Sequence, residues 1–299
     1  MKYFVTGVGG QLGYDVVNEL KRRGHSCVGS DILEKCESLD CDYVSLDITD
    51  SCAVSDAIKA YSPDVVIHCA AWTAVDAAED EENICKVRAI NASGTRNIAL
   101  ACSESGCKMI YISTDYVFDG EGDTPWEPDC AEYKPQNVYG QTKLEGELAV
   151  RELLDRYFIV RIAWVFGRNG SNFVKTMLKL SKKYSSLRVV CDQIGTPTYT
   201  FDLARLLVDM SETEKYGCYH ATNEGGYISW YDFACEIFRT AGVDMAVTPV
   251  TTAEYGASKA KRPFNSRLDK AKLKENGFTP LPDWRDALER YIKEIGVNE

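Results

Sequence analysis

Residues 2–24, KYFVTGVGGQLGYDVVNELKRRG, decide the predicted fold. The stretch begins with a short apolar run, passes through a group of glycines and continues with apolar residues at helical spacing, Val16, Val17 and Leu20, up to Gly24. This is the pattern of a β-strand, a tight turn and an amphipathic α-helix that ends at a glycine. The stretch therefore predicts the beginning of a β-α-β unit.

The same pattern repeats along the first half of the chain. Short, near-continuous apolar runs alternate with helical segments, as expected of a parallel sheet that is covered on both faces. The predicted strands span residues 2–7, 26–31, 41–48, 64–71, 108–115 and 157–166. Strands that alternate with helices form right-handed β-α-β units. The sequence thus predicts an α/β protein with a Rossmann-like, doubly wound parallel sheet.

The second half of the chain is less regular. The elements expected there are helices over 172–183 and 230–242, strands over 187–192 and 218–223, and, before them, a long glycine- and proline-rich loop over 119–140. We expect a dinucleotide-binding domain over residues 1–166, to which part of 187–242 returns. A smaller, interleaved substrate-binding lobe is expected over 167–299.

Composition excludes several classes of protein. The formal net charge of −11 and the pI of about 4.9 argue against a nucleic-acid partner, because phosphate backbones attract basic surfaces. No apolar run approaches the roughly 20 residues that span a bilayer, and the N-terminus does not resemble a signal peptide. We therefore expect a cytoplasmic protein with no membrane partner.

Cysteine and histidine do not form a metal-binding pattern. The 12 cysteines include no C-x-x-C pair, and the three histidines, His25, His68 and His220, are scattered. Metal sites need clustered ligands, so we expect no metal and mostly buried, reduced thiols.

The glycine-rich turn is a candidate dinucleotide site. Gly7, Gly10 and Gly13 follow a strand and open a helix, where glycines allow a tight turn and a close approach to a pyrophosphate. Asp31 ends the second strand, 18 residues after Gly13, at the spacing of a carboxylate that accepts ribose hydroxyls. A carboxylate there repels a 2′-phosphate, so the cofactor is expected to be NADH or NADPH, with NADH favoured.

Other strand ends face the same crevice. Asp47 could meet the adenine edge with Ile48 packed on the ring, whereas Asp50 is more simply a helix cap. Ala70 and Ala71 leave room for a ligand, although tight packing without one would look similar.

A tyrosine and a lysine four residues apart, Tyr139 and Lys143, would share one face of a helix. The lysine would lower the pKa of the tyrosine and hold ribose hydroxyls, so that the tyrosine can give a proton to a carbonyl oxygen. Thr114 and Asp115 follow the fifth strand, and the Thr114 hydroxyl would polarise the same oxygen. Ordinary turn chemistry is the alternative for Thr114 and Asp115. The combination predicts hydride transfer.

With these motifs, the chain resembles the extended short-chain dehydrogenases/reductases that act on nucleotide sugars. The resemblance runs through GVGGQLG, AAWTAVDAAE, NASGTRNIA, STDYVFDG, NVYGQTKLEGE, RIAWVFG, DQIGTPT and RPFNSRL, in that order along nearly the whole chain. It implies a dTDP-sugar substrate and reduction of the C4 carbonyl of dTDP-4-dehydro-L-rhamnose to dTDP-L-rhamnose. A homodimer is the assembly considered.

The resemblance also implies a set of site residues. The implied catalytic residues are Thr114, Tyr139 and Lys143; the cofactor residues are Gly7, Gly10, Gln11, Leu12, Gly13, Asp31, Asp47, Ile48, Ala70, Ala71, Trp72, Thr73, Tyr139 and Lys143; and the substrate residues are Thr114, Asp115, Trp164, Arg262 and Asn265. Arg262 and Asn265 would reach the phosphates of the substrate. A surface ion pair is the alternative for Arg262, and a place in the hydrophobic core is the alternative for Trp164. Trp72 departs from the family, which carries a smaller aromatic residue or histidine at that turn.

Two other functions share many of these features. A dehydratase or epimerase of nucleotide sugars has the same three catalytic residues, but dehydratases carry Asp then Glu after the threonine, and here Asp115 precedes Tyr116. A regulatory subunit could keep the fold without catalysis, yet it would not need the three residues. Reduction is therefore the expected function.

Overall fold

A computed structural model describes residues 1–36, 41–256 and 258–296. Its centre is one parallel sheet of seven strands. In chain order, they are β1 (Lys2–Thr6), β2 (Ser26–Asp31), β3 (Asp42–Ser45), β4 (Val65–His68), β5 (Lys108–Thr114), β6 (Tyr157–Ile162) and β11 (Gly217–His220). Across the sheet, the order is β11-β6-β5-β4-β1-β2-β3. This is a doubly wound sheet whose strand order reverses between β1 and β4, so the predicted fold class is confirmed.

Helices cover both faces of this sheet because its strands are apolar on both sides. One face packs against α1 (Gln11–Arg22) and α7 (Thr200–Ser211). The other face packs against α2 (Ser51–Tyr61), α4 (Thr95–Ser105) and α5 (Val138–Leu153). The helix α3 (Glu81–Arg88) runs into α4 through a π-helical segment, Ala89–Gly94, and short 3₁₀ turns lie at Ala77–Glu79 and Asp115–Val117.

The C-terminal part of the chain builds a second hydrophobic core. Its elements are β7 (Val165–Phe166), α6 (Phe173–Ser181), β8 (Ser186–Val190), β9 (Ile194–Gly195), β10 (Thr198–Tyr199), β12 (Ile228–Ser229), α8 (Trp230–Ala241), β13 (Ala246–Val250), α9 (Thr252–Tyr255), α10 (Ala271–Glu275) and α11 (Trp284–Glu294). Phe166, Phe233 and Trp284 lie in that core. Between these elements the chain returns to the large sheet, where α7 packs on α1 and β11 pairs with β6. Residue 257 and residues 297–299 of the expected lobe lie outside the described residues.

Several elements end a few residues from their predicted ends, and two of these differences have a clear local cause. The strand expected over 157–166 breaks after Ile162, because Trp164 adopts a left-handed backbone conformation with φ of 52°. The loop expected to run to Gly140 ends earlier, because Asn137 caps α5 by accepting from the Gly140 N–H. Within the described ranges, no helix is long and apolar enough to cross a membrane.

Candidate active site

A large cleft, with a volume of about 550 Å³, opens at the carboxyl ends of β1, β4 and β5. It lies beside the point where the strand order reverses, which is where open α/β sheets bind ligands. Most of the expected site residues line it: Gly7, Gly10, Gln11, Leu12, Gly13, Asp31, Asp47, Ile48, Ala70, Ala71, Thr73, Thr114, Asp115, Tyr139, Lys143 and Trp164. Trp72, Arg262 and Asn265 are not among the described residues that line it.

The glycine turn has room for backbone only. Gly7 has a φ of 70°, and a Cβ on Gly7 would lie 2.6 Å from the Ala70 nitrogen. A Cβ on Gly13 would lie 2.3 Å from the Gly7 carbonyl oxygen. Only glycine therefore lets the turn fold this tightly, and α1 begins directly after Gly10, so that the N-terminus of the helix lies in the wall of the cleft. The turn fits a dinucleotide pyrophosphate.

Asp31 links the second strand to the glycine turn. Its Oδ2 accepts from the Gly9 N–H at 2.9 Å, and its Oδ1 accepts from the Ile32 N–H at 2.8 Å. The carboxylate is thus held at the edge of the cleft where ribose hydroxyls are expected. Asp47 is exposed and accepts from Thr49, and Asp50 caps α2 as predicted.

Two glycines of α5 bring the helix close to the sheet. A Cβ on Gly140 would lie 2.3 Å from the Tyr116 carbonyl oxygen, and a Cβ on Gly146 would lie 2.4 Å from the Tyr111 hydroxyl. These close approaches place Tyr139 and Lys143 at the mouth of the cleft. The glycines were not singled out from the sequence, although both belong to the NVYGQTKLEGE motif.

Lys143 is buried, with 3% of its surface exposed. Its Nζ donates to the Ile112 carbonyl oxygen at 2.8 Å and lies 4.2 Å from the centre of the Tyr111 ring. Burial lowers the pKa of Lys143 to about 7, although the Glu147 carboxylate opposes the shift. Without ligands, this amine is therefore only partly charged at neutral pH.

The expected effect of Lys143 on Tyr139 is wrong for the ligand-free protein. Burial raises the pKa of Tyr139 above its ordinary value, and a hydrogen bond from Thr114 offsets only part of that rise. Lys143 does not lower it, because the amine has lost its proton well before the phenol would ionise. Tyr139 is consequently a protonated phenol throughout the physiological pH range, which is the state that a proton donor needs.

Thr114 and Asp115, at the end of β5, place a hydroxyl and a carboxyl group side by side in the cleft. The Thr114 hydroxyl donates to Asp115 Oδ1 at 3.0 Å, and burial raises the pKa of Asp115 to about 6. Ser113, which was not predicted, also lines the cleft; its buried hydroxyl has no hydrogen-bond partner among the described residues. Such a hydroxyl can bind a ligand at little further cost, because it has already lost its water.

Tyr116 is a second residue that the sequence did not single out. Its ring meets the Tyr139 ring edge-on at 5.5 Å, and its hydroxyl accepts from Arg262 at 3.3 Å. Arg262 also pairs with Asp76 at 2.5 Å. The guanidinium therefore lies behind the cleft wall, one side chain away from Tyr139.

The remaining expected residues serve other contacts in this structure. The Asn265 side chain donates to the Thr124 carbonyl oxygen at 2.8 Å and so ties the long loop to the C-terminal segment. The Trp72 indole lies over the Lys86 amine at 5.6 Å, and its ring N–H donates to Ala74. Trp164 lines the cleft and stacks on Trp230 with the ring centres 3.8 Å apart.

Comparison with known proteins agrees with this geometry. A family model for the RmlD substrate-binding domain matches residues 1–297. The spore coat polysaccharide biosynthesis protein SpsK of Bacillus subtilis is 39% identical over 293 residues, covering 98% of this chain and 97% of that protein. A dTDP-4-dehydrorhamnose reductase of Streptomyces griseus is 41% identical over 293 residues, covering 96% and 91%. The crystal structure of dTDP-4-dehydrorhamnose reductase from Bacillus anthracis in complex with NADP matches with a TM-score of 0.88 at 39% identity, covering 98% of this chain and 99% of that one.

These matches extend over the whole sheet, the cleft and the C-terminal elements. The chain belongs to the RmlD substrate-binding domain family.

Proposed function

We propose that this protein is a nicotinamide-dependent oxidoreductase that reduces the C4 carbonyl of dTDP-4-dehydro-L-rhamnose to dTDP-L-rhamnose. The observation that carries the proposal is the meeting of a protonated phenol, Tyr139, with the Thr114 hydroxyl in a cleft that begins at a glycine turn. Relatives at 39–41% identity that span nearly the whole chain are dTDP-4-dehydrorhamnose reductases, which supports this substrate.

The cleft suits a nicotinamide dinucleotide, which supplies the hydride when bound. The glycine turn admits a pyrophosphate because Gly7 and Gly13 leave no space for side chains. Asp31 lies where it can accept hydroxyls of the adenosine ribose, and Lys143 lies where it can donate to the other ribose. We propose NADH as the better cofactor, because the Asp31 carboxylate would repel the 2′-phosphate of NADPH.

Side chains of the protein supply the proton and stabilise the charge on the sugar oxygen. Tyr139 gives its phenolic proton to O4 of the sugar as the hydride reaches C4, so the carbonyl becomes an alcohol and the phenolate later regains a proton from water. In the ligand-free protein the single hydroxyl proton of Thr114 is donated to Asp115 Oδ1. When the sugar is bound, this hydroxyl turns to donate to O4 instead and stabilises the charge that develops there.

Residues outside the cleft have proposed roles as well. Arg262 is paired with Asp76 in this structure, so it can bind a substrate phosphate only by leaving Asp76. A phosphate can accept two parallel hydrogen bonds from a guanidinium, which favours this exchange. Asn265 would affect substrate binding indirectly, because its side chain holds the long loop in place through the Thr124 carbonyl oxygen. Both reactants are charged and water-soluble, so we propose that the reaction takes place in the cytoplasm.

A turnover assay tests the proposal. Purified protein is mixed with dTDP-4-dehydro-L-rhamnose and either NADH or NADPH, the absorbance of the reduced nicotinamide is followed, and the sugar product is identified. We expect one reduced cofactor to be consumed for each dTDP-L-rhamnose formed. An epimerase would change the sugar without net consumption of cofactor, and a regulatory subunit would change neither, so either result would contradict the proposal.

A further inference from the structure

Among the described residues that line the cleft, Trp164 is the only aromatic residue with a left-handed backbone conformation. Its φ of 52° is unfavourable for a side chain with a Cβ, and such a conformation persists only where the surroundings hold it. The Trp164 carbonyl oxygen accepts from the Thr198 N–H at 3.1 Å, which fixes the backbone on one side. The side chain must therefore be held by contacts of its own.

Trp230 supplies the largest of those contacts. The two indole rings are nearly parallel, at 16°, with their centres 3.8 Å apart. Trp230 is not among the described residues that line the cleft, so it stands behind Trp164 and covers one of its faces. The Trp230 ring is supported in turn by Phe173, at 4.6 Å between ring centres.

The position of Trp230 is fixed by the start of a helix. Ser229 and Asp232 form a capping box, in which each side chain accepts a hydrogen bond from the backbone N–H of the other residue. The helix α8 therefore begins at Trp230. Ser229 and Ile228 also form β12, which pairs with Ile194 and Gly195 of β9. The backbone on both sides of the indole is thus part of the C-terminal lobe.

Gly195 also packs closely against the Trp164 ring. A Cβ on Gly195 would lie 2.9 Å from the Trp164 ring and 3.0 Å from the Ser266 side chain. Ser266 in turn lies close enough to Asp115 to lower its pKa by hydrogen bonding. Trp164, Thr114 and Asp115 all line the cleft, and Ser266 lies between Trp164 and Asp115, so Trp164 is at the same end of the cleft as Thr114.

We propose that Trp230 is a positioning residue that holds the Trp164 indole as a wall of the sugar subsite. In this arrangement, Trp230 sets the affinity for the deoxysugar and not for the nucleotide or the cofactor. The inference rests on the proposed function, because it takes the sugar to be the group bound beside Thr114. Trp230 itself touches neither reactant.

Binding measurements on variants test this inference. Calorimetry with dTDP-L-rhamnose, with dTDP alone and with NADH compares the wild type with Trp230→Ala and Trp230→Phe. We expect Trp230→Ala to weaken dTDP-L-rhamnose binding about three- to tenfold, the range of an aromatic pair, while dTDP and NADH bind as before. Trp230→Phe, which keeps an aromatic face, should recover most of the loss.

A double-mutant cycle separates positioning from a general loss of structure. If Trp230 acts through Trp164, then Trp164→Ala and the double variant bind dTDP-L-rhamnose equally weakly. Trp284→Phe is the control for a weakened lobe core, since Trp284 meets Phe233 edge-on there; it should lower thermal stability and leave dTDP-L-rhamnose binding unchanged.

Failure of the inference and failure of the proposed function give different results. If the wild type binds dTDP-L-rhamnose and turns over, but Trp230→Ala binds it as tightly, or loses dTDP and NADH binding equally, or if the losses at Trp164 and Trp230 add, the inference is overturned alone. If the wild type neither binds dTDP-L-rhamnose nor reduces the keto sugar, the proposed function falls and the inference falls with it.

Discussion

Lys143 should make the stability of the ligand-free protein depend on pH in a specific window. The pKa of this amine falls from 10.5 to about 7 on folding, because the side chain is buried with 3% of its surface exposed. Below the folded value the amine is charged in both states, and above 10.5 it is neutral in both. Between these values the unfolded chain binds more protons at Lys143, so the contribution of Lys143 to the free energy of unfolding rises with pH.

The size of the effect follows from the shift. A gap from 10.5 to about 7 corresponds to about 5 kcal/mol in total, or about 1.4 kcal/mol per pH unit inside the window. Little discount for solvent screening applies, since the amine is almost fully buried. Two neighbours also titrate differently in the folded and unfolded states. Burial lowers the pKa of His68 from 6.5 to about 3, which acts below this window, and raises the pKa of Cys69 from 9.0 to about 12, which lowers the stability above pH 9 and opposes Lys143 there. Both residues are kept in a Lys143 variant, so the effect of Lys143 is the difference between the wild type and that variant.

Denaturant unfolding between pH 6 and 10 measures the effect on wild type and Lys143→Met. Methionine fills a similar volume without a charge, so the variant should be more stable than the wild type at pH 6 by several kcal/mol. The advantage should shrink steadily as the pH rises. Lys59→Met, a change at an exposed lysine of α2, is the control and should keep a constant difference from the wild type.

A constant difference between wild type and Lys143→Met across this pH range would refute the reasoning. It would mean that Lys143 keeps its charge when buried, held by Glu147 or by water. The original expectation, in which a charged Lys143 lowers the pKa of Tyr139, would then be restored for the ligand-free protein.

Three further predictions concern the surroundings of the cleft. Gly140→Ala should lower kcat about tenfold or more, because the new Cβ would lie 2.3 Å from the Tyr116 carbonyl oxygen and shift the start of α5; an unchanged kcat would show that the close contact is not needed. Glu147→Gln should destabilise the protein by about 3 kcal/mol in denaturant unfolding, because the fully buried Arg161 loses its charged partner at 2.7 Å; an unaltered midpoint would contradict this. Asp31→Ser should raise the ratio of kcat/KM for NADPH to that for NADH at least tenfold, and a ratio equal to the wild type's would remove Asp31 as the selector of the cofactor.

The sequence was sufficient for the parts of the fold that depend on local pattern. The glycine turn and the apolar strands could be predicted because a pyrophosphate turn requires glycine at fixed spacing and a covered parallel sheet requires apolar residues on both faces. The break in the strand at Trp164 could not be predicted, since a left-handed tryptophan depends on contacts with Gly195 and Trp230 from distant parts of the chain.

The candidate site was predictable in its members but not in its electrostatics. Tyr139 and Lys143 are visible as a pair at helical spacing, yet the pKa of each depends on burial, which no local pattern reveals. The same holds for Ser113, an ordinary serine in the sequence that becomes a buried hydroxyl without a partner. Arg262 was expected near a phosphate, but its contact with Asp76 arises only when residues 186 positions apart meet.

The central claim, that Tyr139 gives the proton to the sugar oxygen, is tested most directly by Tyr139→Phe. The variant lacks the phenolic hydroxyl but keeps the ring that packs against Tyr116. With dTDP-4-dehydro-L-rhamnose and NADH, kcat should fall by about 10²–10⁴, while the dissociation constant for NADH stays within a few-fold of the wild type. A variant that binds NADH normally and retains most of the wild-type kcat would contradict the account.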